Sequence, residues 1–429
     1  MAYKVAGIDI HKRVLMVVIA TTASESADPA GAAIEFESRR FGAGFSERAH
    51  LVSWLQQHGV IEVVMESTAQ YWKPVWLDNA LITLAPLEPH FAKLHLAQAQ
   101  SNRAPKGRKN DFRDATRLAR RLLAGELILS FVPEPEQRSW RIMTRGKVNL
   151  VHDRVRLQNQ MEALLEEARI KLSGVVTDLL GVSGRRILAA LSKGETDPVK
   201  LAALGDDRLK CSKEELADAL HGSPEPVHLK LLQLYLDRLK LIDEQIDTLD
   251  QMAAEAMKKH QDAVTRLAEV PGFGVISAQQ IIAEVGADAG TFPSAGEFAS
   301  WVGVCPGEDE SAEVNHSSRS PKGNRMVRRI LSEAAHAAVK KKGSHFQSVF
   351  QRFLPRLGYK GAIWAVAHRL GRLLWKVLHQ GITYIEQGAE TNPKAKKRRA
   401  QKLTKALKKL GYIVSITPIN PEPALQPGA

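Results

Sequence analysis

Cysteine is nearly absent from this 429-residue chain: Cys211 and Cys305 stand far apart, and no CxxC pair occurs. That excludes zinc fingers and makes a disulfide framework unexpected. No run of 18 apolar residues occurs, so no membrane span is expected. The opening MAYKVAGIDIHK lacks the pattern of a secretory signal. These absences point to a soluble protein of a reducing compartment. Acidic residues are also in deficit, 47 against 60 Lys and Arg, giving a net charge of +13. A clustered excess of that size suits a polyanionic partner, above all nucleic acid. Hydrophobic residues make up 44% of the chain, enough to core two or three domains.

What is present centres on Lys109 to Arg121, KNDFRDATRLARR. Asp111 and Asp114 are three residues apart, a spacing that puts both on one helix face. Arg103, Lys106, Arg108 and Lys109 precede them, and Arg113, Arg117, Arg120 and Arg121 follow. Carboxylates can hold Mg²⁺, and basic residues can bring a phosphodiester to it. The plainer reading is a surface helix whose first-turn acids suit the helix dipole.

Residues 3–10 and 14–21 read as a strand hairpin with Asp9 near the end of the first strand, and 33–41 as a third strand. A helix follows over 46–58, with Phe45, Leu51, Trp54 and Leu55 as candidate core positions. Residues 61–66, IEVVME, form a buried strand ending in Glu66. A helix over 70–81 and a strand over 82–87 complete an α/β sheet domain. Taken singly, Asp9 suits a turn and Glu66 a helix cap. Together with Asp111 and Asp114 they make four carboxylates at strand ends and on a helix face, which would repel one another unless a cation is bound or some are protonated.

GIDIHK, MESTAQYW and KNDFRDA, in this order, resemble the RuvC-like DEDD domain of a bacterial insertion-sequence transposase family. Its members are described as bridge-RNA-guided recombinases. The resemblance implies a ribonuclease-H-like amino-terminal domain and assigns its acidic positions to Asp9, Glu66, Asp111 and Asp114. Two departures, Ala69 where Gly is frequent and Asn110 where Thr is common, remove no ligand.

From Glu134 to Lys171 the pattern is helical, and 173–226 is a run of short helices broken by Gly and Pro. Leu232, Tyr235, Leu239, Ile242, Ile246, Leu249, Ala253 and Ala256 are spaced alternately by three and four, a coiled-coil seam of about three heptads. Helix packing within the chain and a dimer both satisfy it. The family resemblance favours the intermolecular use. Pro271-Gly272-Phe273-Gly274 lies between apolar helical segments and resembles a helix-hairpin-helix turn, in which Gly272 and Gly274 let backbone amides approach a phosphate. An ordinary tight turn reads the same way.

Residues 298–338 hold a loop dense in Ser, Gly, Asp and Glu, then Lys322 and a basic helix with Arg325, Arg328 and Arg329. A serine can attack a phosphodiester if its proton is removed and positive charge steadies the oxyanion. Spacing does not choose among Ser311, Ser317, Ser318 and Ser320. The resemblance does: this block is similar to the family's carboxy-terminal transposase domain, and the catalytic serine falls on Ser311, five residues after Pro306. Glu313 adds a carboxylate beside it.

Residues 346–387 are helical, with Trp364, Val366, Leu370, Leu373, Leu374 and Leu378 as a core stripe. Residues 393–409 have no acidic residue, and Lys396, Lys397, Arg398 and Arg399 suit nucleic-acid phosphates. The Pro-rich end from Pro418 is expected to be disordered. The expected domains are 1–130, RuvC-like; 131–262, a helical linker with coiled coil; 263–390, a mainly helical transposase domain carrying Ser311; and 391–429, a basic tail.

The resemblance implies a cytoplasmic, nucleoid-associated DNA recombinase that uses Mg²⁺ and a serine nucleophile. Its implied partners are donor and target DNA, a noncoding guide RNA and further copies of itself. Two other readings fit the residues: a junction nuclease that uses water, and a non-catalytic nucleic-acid-binding protein.

Overall fold

A computed structural model describes residues 3–22, 34–66, 70–76, 87, 90–91, 93–99, 111–307, 309–311, 314–317, 319–386, 388 and 393–415. The chain forms two compact units, Met1–Pro133 and Glu134–Ala429.

The first unit is built on a five-stranded mixed sheet. β1 (Tyr3–Ile10), β2 (Val14–Thr22) and β3 (Glu35–Gly42) form an antiparallel meander. After α1 (Phe45–Gln57), β4 (Glu62–Glu66) returns parallel to β1. The short α2 (Lys73–Trp76) and β5 (Lys93–Ala97) follow, and α3 (Asp111–Leu123) closes the unit. The strand order is β3-β2-β1-β4-β5.

Alternation along β1 explains the layers. Ala6, Ile8 and Ile10 join Leu15, Val17 and Ile19 in a core with Leu51, Trp54 and Leu55 of α1. Val5 and Ala20 point the other way, against Ala119 of α3, and Val64 and Ala97 pack there with Leu118. Phe45 is not a core residue. It opens α1 and is 47% exposed. The fifth strand is Lys93–Ala97, a segment whose polar Lys93 and His95 hide its strand character. Residues 82–86 of the expected strand lie outside the described residues, as do 77–81 of the expected helix.

The second unit is mainly helical and has two cores. The first is framed by α4 (Pro135–Glu167), α5 (Leu172–Val175), α6 (Val182–Ser192), α7 (Pro198–Ala203), α8 (Lys213–Ala219) and α9 (Pro226–Ala256). α4 and α9 run antiparallel, since Lys147 pairs with Asp250 and Arg154 with Asp243. The seam residues Leu232, Leu239, Ile242 and Ile246 are buried with Leu157 and Met161 of α4. These four positions of the heptad stripe are therefore filled within the chain. Of the two uses of the seam, helix packing within the chain is the one these buried positions satisfy.

The second core is made by α10 (Gln261–Ala268), α11 (Val275–Val285), α12 (Ala295–Val302), α13 (Arg325–Ala338) and α14 (His345–His379), around Phe298. Between α12 and α13, β6 (Asp309–Ser311) and β7 (Val314–Ser317) form a small hairpin. α14 breaks at Gly358, whose φ is +67°. Beyond the break, Val366, Leu370, Leu374 and Leu378 are buried, while Trp364 and Leu373 are only half-buried on another face. α15 (Pro393–Lys409) ends the described chain. No helix among the described residues is long and apolar enough to cross a membrane.

Candidate metal centre and nucleic-acid contacts

The site begins with a glycine. Val5, Gly7 and Asp9 share one face of β1, the face that meets α3. A β-carbon on Gly7 would overlap the Ala115 carbonyl oxygen and stand 2.9 Å from the Ala119 amide nitrogen. The helix backbone therefore lies directly on the strand. Two strand residues advance about 6.7 Å and four helix residues about 6 Å, so the steps nearly match. Val5 lies with Ala119 and Gly7 with Ala115. The next step brings Asp9 to Asp111, the first residue of α3.

His11 joins them there. Its Nε2 is 3.3 Å from Asp9 Oδ2 and 3.4 Å from Asp111 Oδ2. One ligand atom from each of Asp9, His11 and Asp111 lies within 4.8 Å of the others. The His11 Nε2 is shielded from solvent and has hydrogen-bond geometry with neither carboxylate.

Glu66 and Asp114 complete the neighbourhood. The parallel register Gly7↔Val64 and Ile8↔Met65 leads β1 and β4 to Asp9 and Glu66 side by side, with Glu66 on the face of Val64. Asp114 sits one turn into α3 and accepts from Arg117 Nη1 at 2.7 Å. Burial raises the Asp9 pKa above the usual aspartate value. His11 lowers it, and Asp111, Asp114 and Glu66 each push it up further. The other three expected carboxylates thus all act on Asp9.

A divalent cation fits this donor set. It would relieve the repulsion among the carboxylates around Asp9 and take up the unbonded His11 nitrogen. Two carboxylates suit Mg²⁺, and an added imidazole suits Mn²⁺ or another transition ion. His11 was not anticipated as a donor. Its signal lay in GIDIHK, two residues after Asp9, where a basic side chain reads as the start of a turn.

The arginines of α3 are largely committed within the unit. Arg117 holds Asp114, Arg120 lies 4.9 Å over the Phe36 ring, and Arg121 donates to the Glu126 carbonyl at 2.9 Å. Arg113 is exposed. Arg103, Lys106, Arg108 and Lys109 fall outside the described residues, with Ala69 and Asn110.

In the second unit, Ser311 ends β6 and pairs with Val314 across the hairpin turn. A loop was expected, because two short polar strands carry no apolar alternation. Ser317 ends β7, and Ser318 and Glu313 lie outside the described residues. Ser320 accepts from Trp364 Nε1 at 2.6 Å. Arg328 donates to the Pro321 carbonyl at 2.6 Å and lies 4.6 Å over the Trp364 ring. Arg329 pairs with Glu333 at 2.9 Å and reaches Gln280. Those two arginines thus hold the fold, whereas Lys322 and Arg325 are exposed.

Gly272 has φ +90°, and a β-carbon there would overlap the backbone of Ala334 in α13. Close helix packing therefore accounts for it. A β-carbon on Gly274, which caps α11, would meet nothing within 4 Å. Lys396, Lys397, Arg398 and Arg399 fall in α15, with side chains outside the described set.

Sequence comparison finds a match in each unit, and the first match runs on through α4. Residues 6–170 match the DEDD transposase domain of IS110, described as "Transposase", and 264–351 match "Transposase IS116/IS110/IS902 family". A Pseudomonas aeruginosa protein named "Probable family 20 transposase" is 25% identical over 347 residues, 79% of this chain and 90% of the relative. The transposase for insertion sequence element IS1111A of Coxiella burnetii is 24% identical over 346 residues, 79% of this chain and 83% of the relative. The y4pF/y4sB protein of Sinorhizobium fredii is 28% identical over 183 residues, 41% of this chain, and the chain spans about half of that relative, 46%.

Proposed function

Because the chain belongs to the IS116/IS110/IS902 family of transposases, and so acts in DNA transposition, we propose that it cleaves and rejoins DNA strands with an acidic metal centre and a serine nucleophile. The observation that carries the reading is the meeting of Asp9, His11 and Asp111, one ligand atom of each within 4.8 Å of the others, with Asp111, Asp114 and Glu66 also raising the Asp9 pKa. A sheet of order β3-β2-β1-β4-β5 with acids at the ends of β1 and β4 supports a ribonuclease-H-like, RuvC-like unit. Asp9, Glu66, Asp111 and Asp114 are its metal residues, with Mg²⁺ as the working ion and His11 beside them. A bound divalent cation supplies charge neutralisation to the scissile phosphate.

Ser311 is the nucleophile. Its oxygen forms a bond to phosphorus as the bond to one strand's oxygen breaks. The proton lost by the serine is balanced by the one that the displaced strand's oxygen takes up as it departs as a free hydroxyl. The phosphoserine link conserves the bond energy, so rejoining to a new strand needs no nucleotide hydrolysis. Lys322, Arg325 and the basic stretch 396–399 contact phosphate, and Gly274 lies at a helix N-terminus suited to one. Donor and target DNA, a noncoding guide RNA and further copies of the chain are the partners, in the bacterial cytoplasm at the nucleoid. The net charge of +13 supports a polyanionic partner.

The test is a denaturant-trapped reaction of purified protein with element-end DNA and the transcript of the element's noncoding flank. The wild type should leave DNA covalently on the protein, and Ser311→Ala should leave none while binding DNA normally. Cleavage without adduct in the wild type would return the reading to a water-using nuclease.

A further inference from the structure

A groove of about 1040 Å³ runs along α14 in the second unit. Its lining residues on the second arm of the helix recur every three or four positions from Gly361 to Lys376, which is one helix face. The opposite face, with Ile363, Val366, Leu370 and Leu374, is core. The break at Gly358 lets the first arm, with Phe353 and Arg356, form a second wall, and residues 382–385 return along the edge.

The charge in this groove is one-sided. Arg356, Arg369, Arg372 and Lys376 line it with two histidines, and no Asp or Glu lines it among the described residues. Arg352, Arg356 and Arg369 all stand within 5.6 Å of the Phe353 ring centre. Burial lowers the His368 pKa, and Arg372 and Arg369 lower it further, as crowded cations should. The nearby Glu386 is engaged: it accepts from the backbone amides of His345 and Gly388 and from the Tyr384 hydroxyl. Arg356, Arg372 and Lys376 beside half-buried aromatic rings are the two parts of a single-strand site: phosphates take the charge, and unstacked bases take the ring faces. A duplex keeps its base faces hidden and would need only a flat basic surface.

We propose that this groove binds a single-stranded nucleic-acid segment, with phosphates on Arg356, Arg372 and Lys376 and bases against Phe353 and Trp364. Nothing in the assignment uses the carboxylates or Ser311, so its failure and theirs are separable.

The experiment measures fluorescence anisotropy of labelled 12-nucleotide DNA, the same sequence as RNA, and a 12-base-pair duplex, with full-length protein across a salt series. It is run in the Ser311→Ala background, so that cleavage does not enter. Arg372→Gln combined with Lys376→Gln, both exposed positions, should weaken single-strand binding about tenfold and reduce the salt slope by about 1.4, or 0.7 per lost phosphate contact. Duplex affinity should hardly move. Phe353→Leu should weaken single strands about fivefold or more without changing the slope. Preference for the DNA or the RNA oligonucleotide tells which strand the groove serves. Unchanged single-strand affinity in folded variants overturns the proposal. So does equal competition by polyglutamate, which would make the groove a site for an acidic protein.

Discussion

The backbone of Ala115 occupies the space that a side chain on Gly7 would need. This one contact sets how far α3 stands from β1, and hence where Asp111 stands relative to Asp9. Gly7→Ala must push the helix away or strain the strand. Overpacking of this kind costs about 1–3 kcal/mol. We expect a lower unfolding midpoint for the variant, together with loss of divalent-ion binding larger than the stability loss alone explains. A variant of normal metal affinity would show that the close approach is not what builds the site.

The metal centre makes a second prediction through Asp9. Burial and the other carboxylates disfavour its ionised form, so the metal-free protein carries repulsion at neutral pH. A raised folded pKa means that ionisation of Asp9 opposes folding as pH rises through that value. Asp9→Asn should therefore raise the melting temperature of the metal-free protein at pH 7. Added Mg²⁺ or Mn²⁺ should stabilise the wild type by about 2.7 kcal/mol at a hundred times its dissociation constant, and the variant far less. Thermal melts with chelator and with each ion read both effects.

His11 distinguishes the ions. Its Nε2 lies beside both Asp9 and Asp111 without hydrogen-bond geometry to either. If it ligates, His11→Ala should weaken Mn²⁺ binding about 10–100-fold, by analogy with the loss of a metal-site partner, and Mg²⁺ binding less. Calorimetric titration with the two ions checks this. Equal losses would make His11 an orienting residue for the carboxylates.

Much of the first unit was legible because its physics is local. Val and Ile alternation marks β1 and β2, and apolar residues mark β4, so Asp9 and Glu66 could be placed at strand ends. The approach of Asp111 was less legible, since it depends on small residues, Gly7, Ala115 and Ala119, meeting across a long sequence separation. β5 was missed because Lys93 and His95 interrupt its pattern, and Tyr3, Lys93 and His95 instead satisfy Glu62. The heptad stripe of α9 was seen, but periodicity alone does not say which helix fills a seam. Gly272 read as a phosphate turn because a positive φ and a close approach need glycine equally, whatever is approached. The basic residues read as one class. Their partners, Glu333 for Arg329 and the Trp364 face for Arg328, became visible only in the fold.

The last prediction concerns a buried carboxylate that no sequence pattern marked. Glu284 is 1% exposed and receives two hydrogen bonds from Arg145, at 2.7 and 2.8 Å, and one from Asn324 Nδ2 at 2.9 Å. Arg141 donates to the backbone carbonyls of Ala283 and Glu284. Asn324 in turn accepts from the amides of Met326 and Val327 and so caps α13. Glu284 therefore fixes which way the capping amide faces. Burial, the largest influence, raises its pKa. The bonds and charge of Arg145, with Asn324 and Arg141, outweigh that and hold it below the usual glutamate value. A depressed folded pKa contributes stability above the unfolded value of about 4.3, and that contribution is lost as pH falls through the folded value. Glu284→Gln leaves Arg145 without its counter-charge and should cost about 3 kcal/mol at pH 7. The gap between wild type and variant should narrow as pH falls from the unfolded value of about 4.3 through the lower folded value, where the wild-type carboxylate takes up its proton. Asn324→Ala, which removes only the cap, should cost about 1 kcal/mol with little dependence on pH. Urea unfolding of the three proteins at pH 7 and in acid separates these outcomes. A pH-independent gap for Glu284→Gln would show that the pocket stabilises the fold by shape and neutral hydrogen bonds rather than by charge.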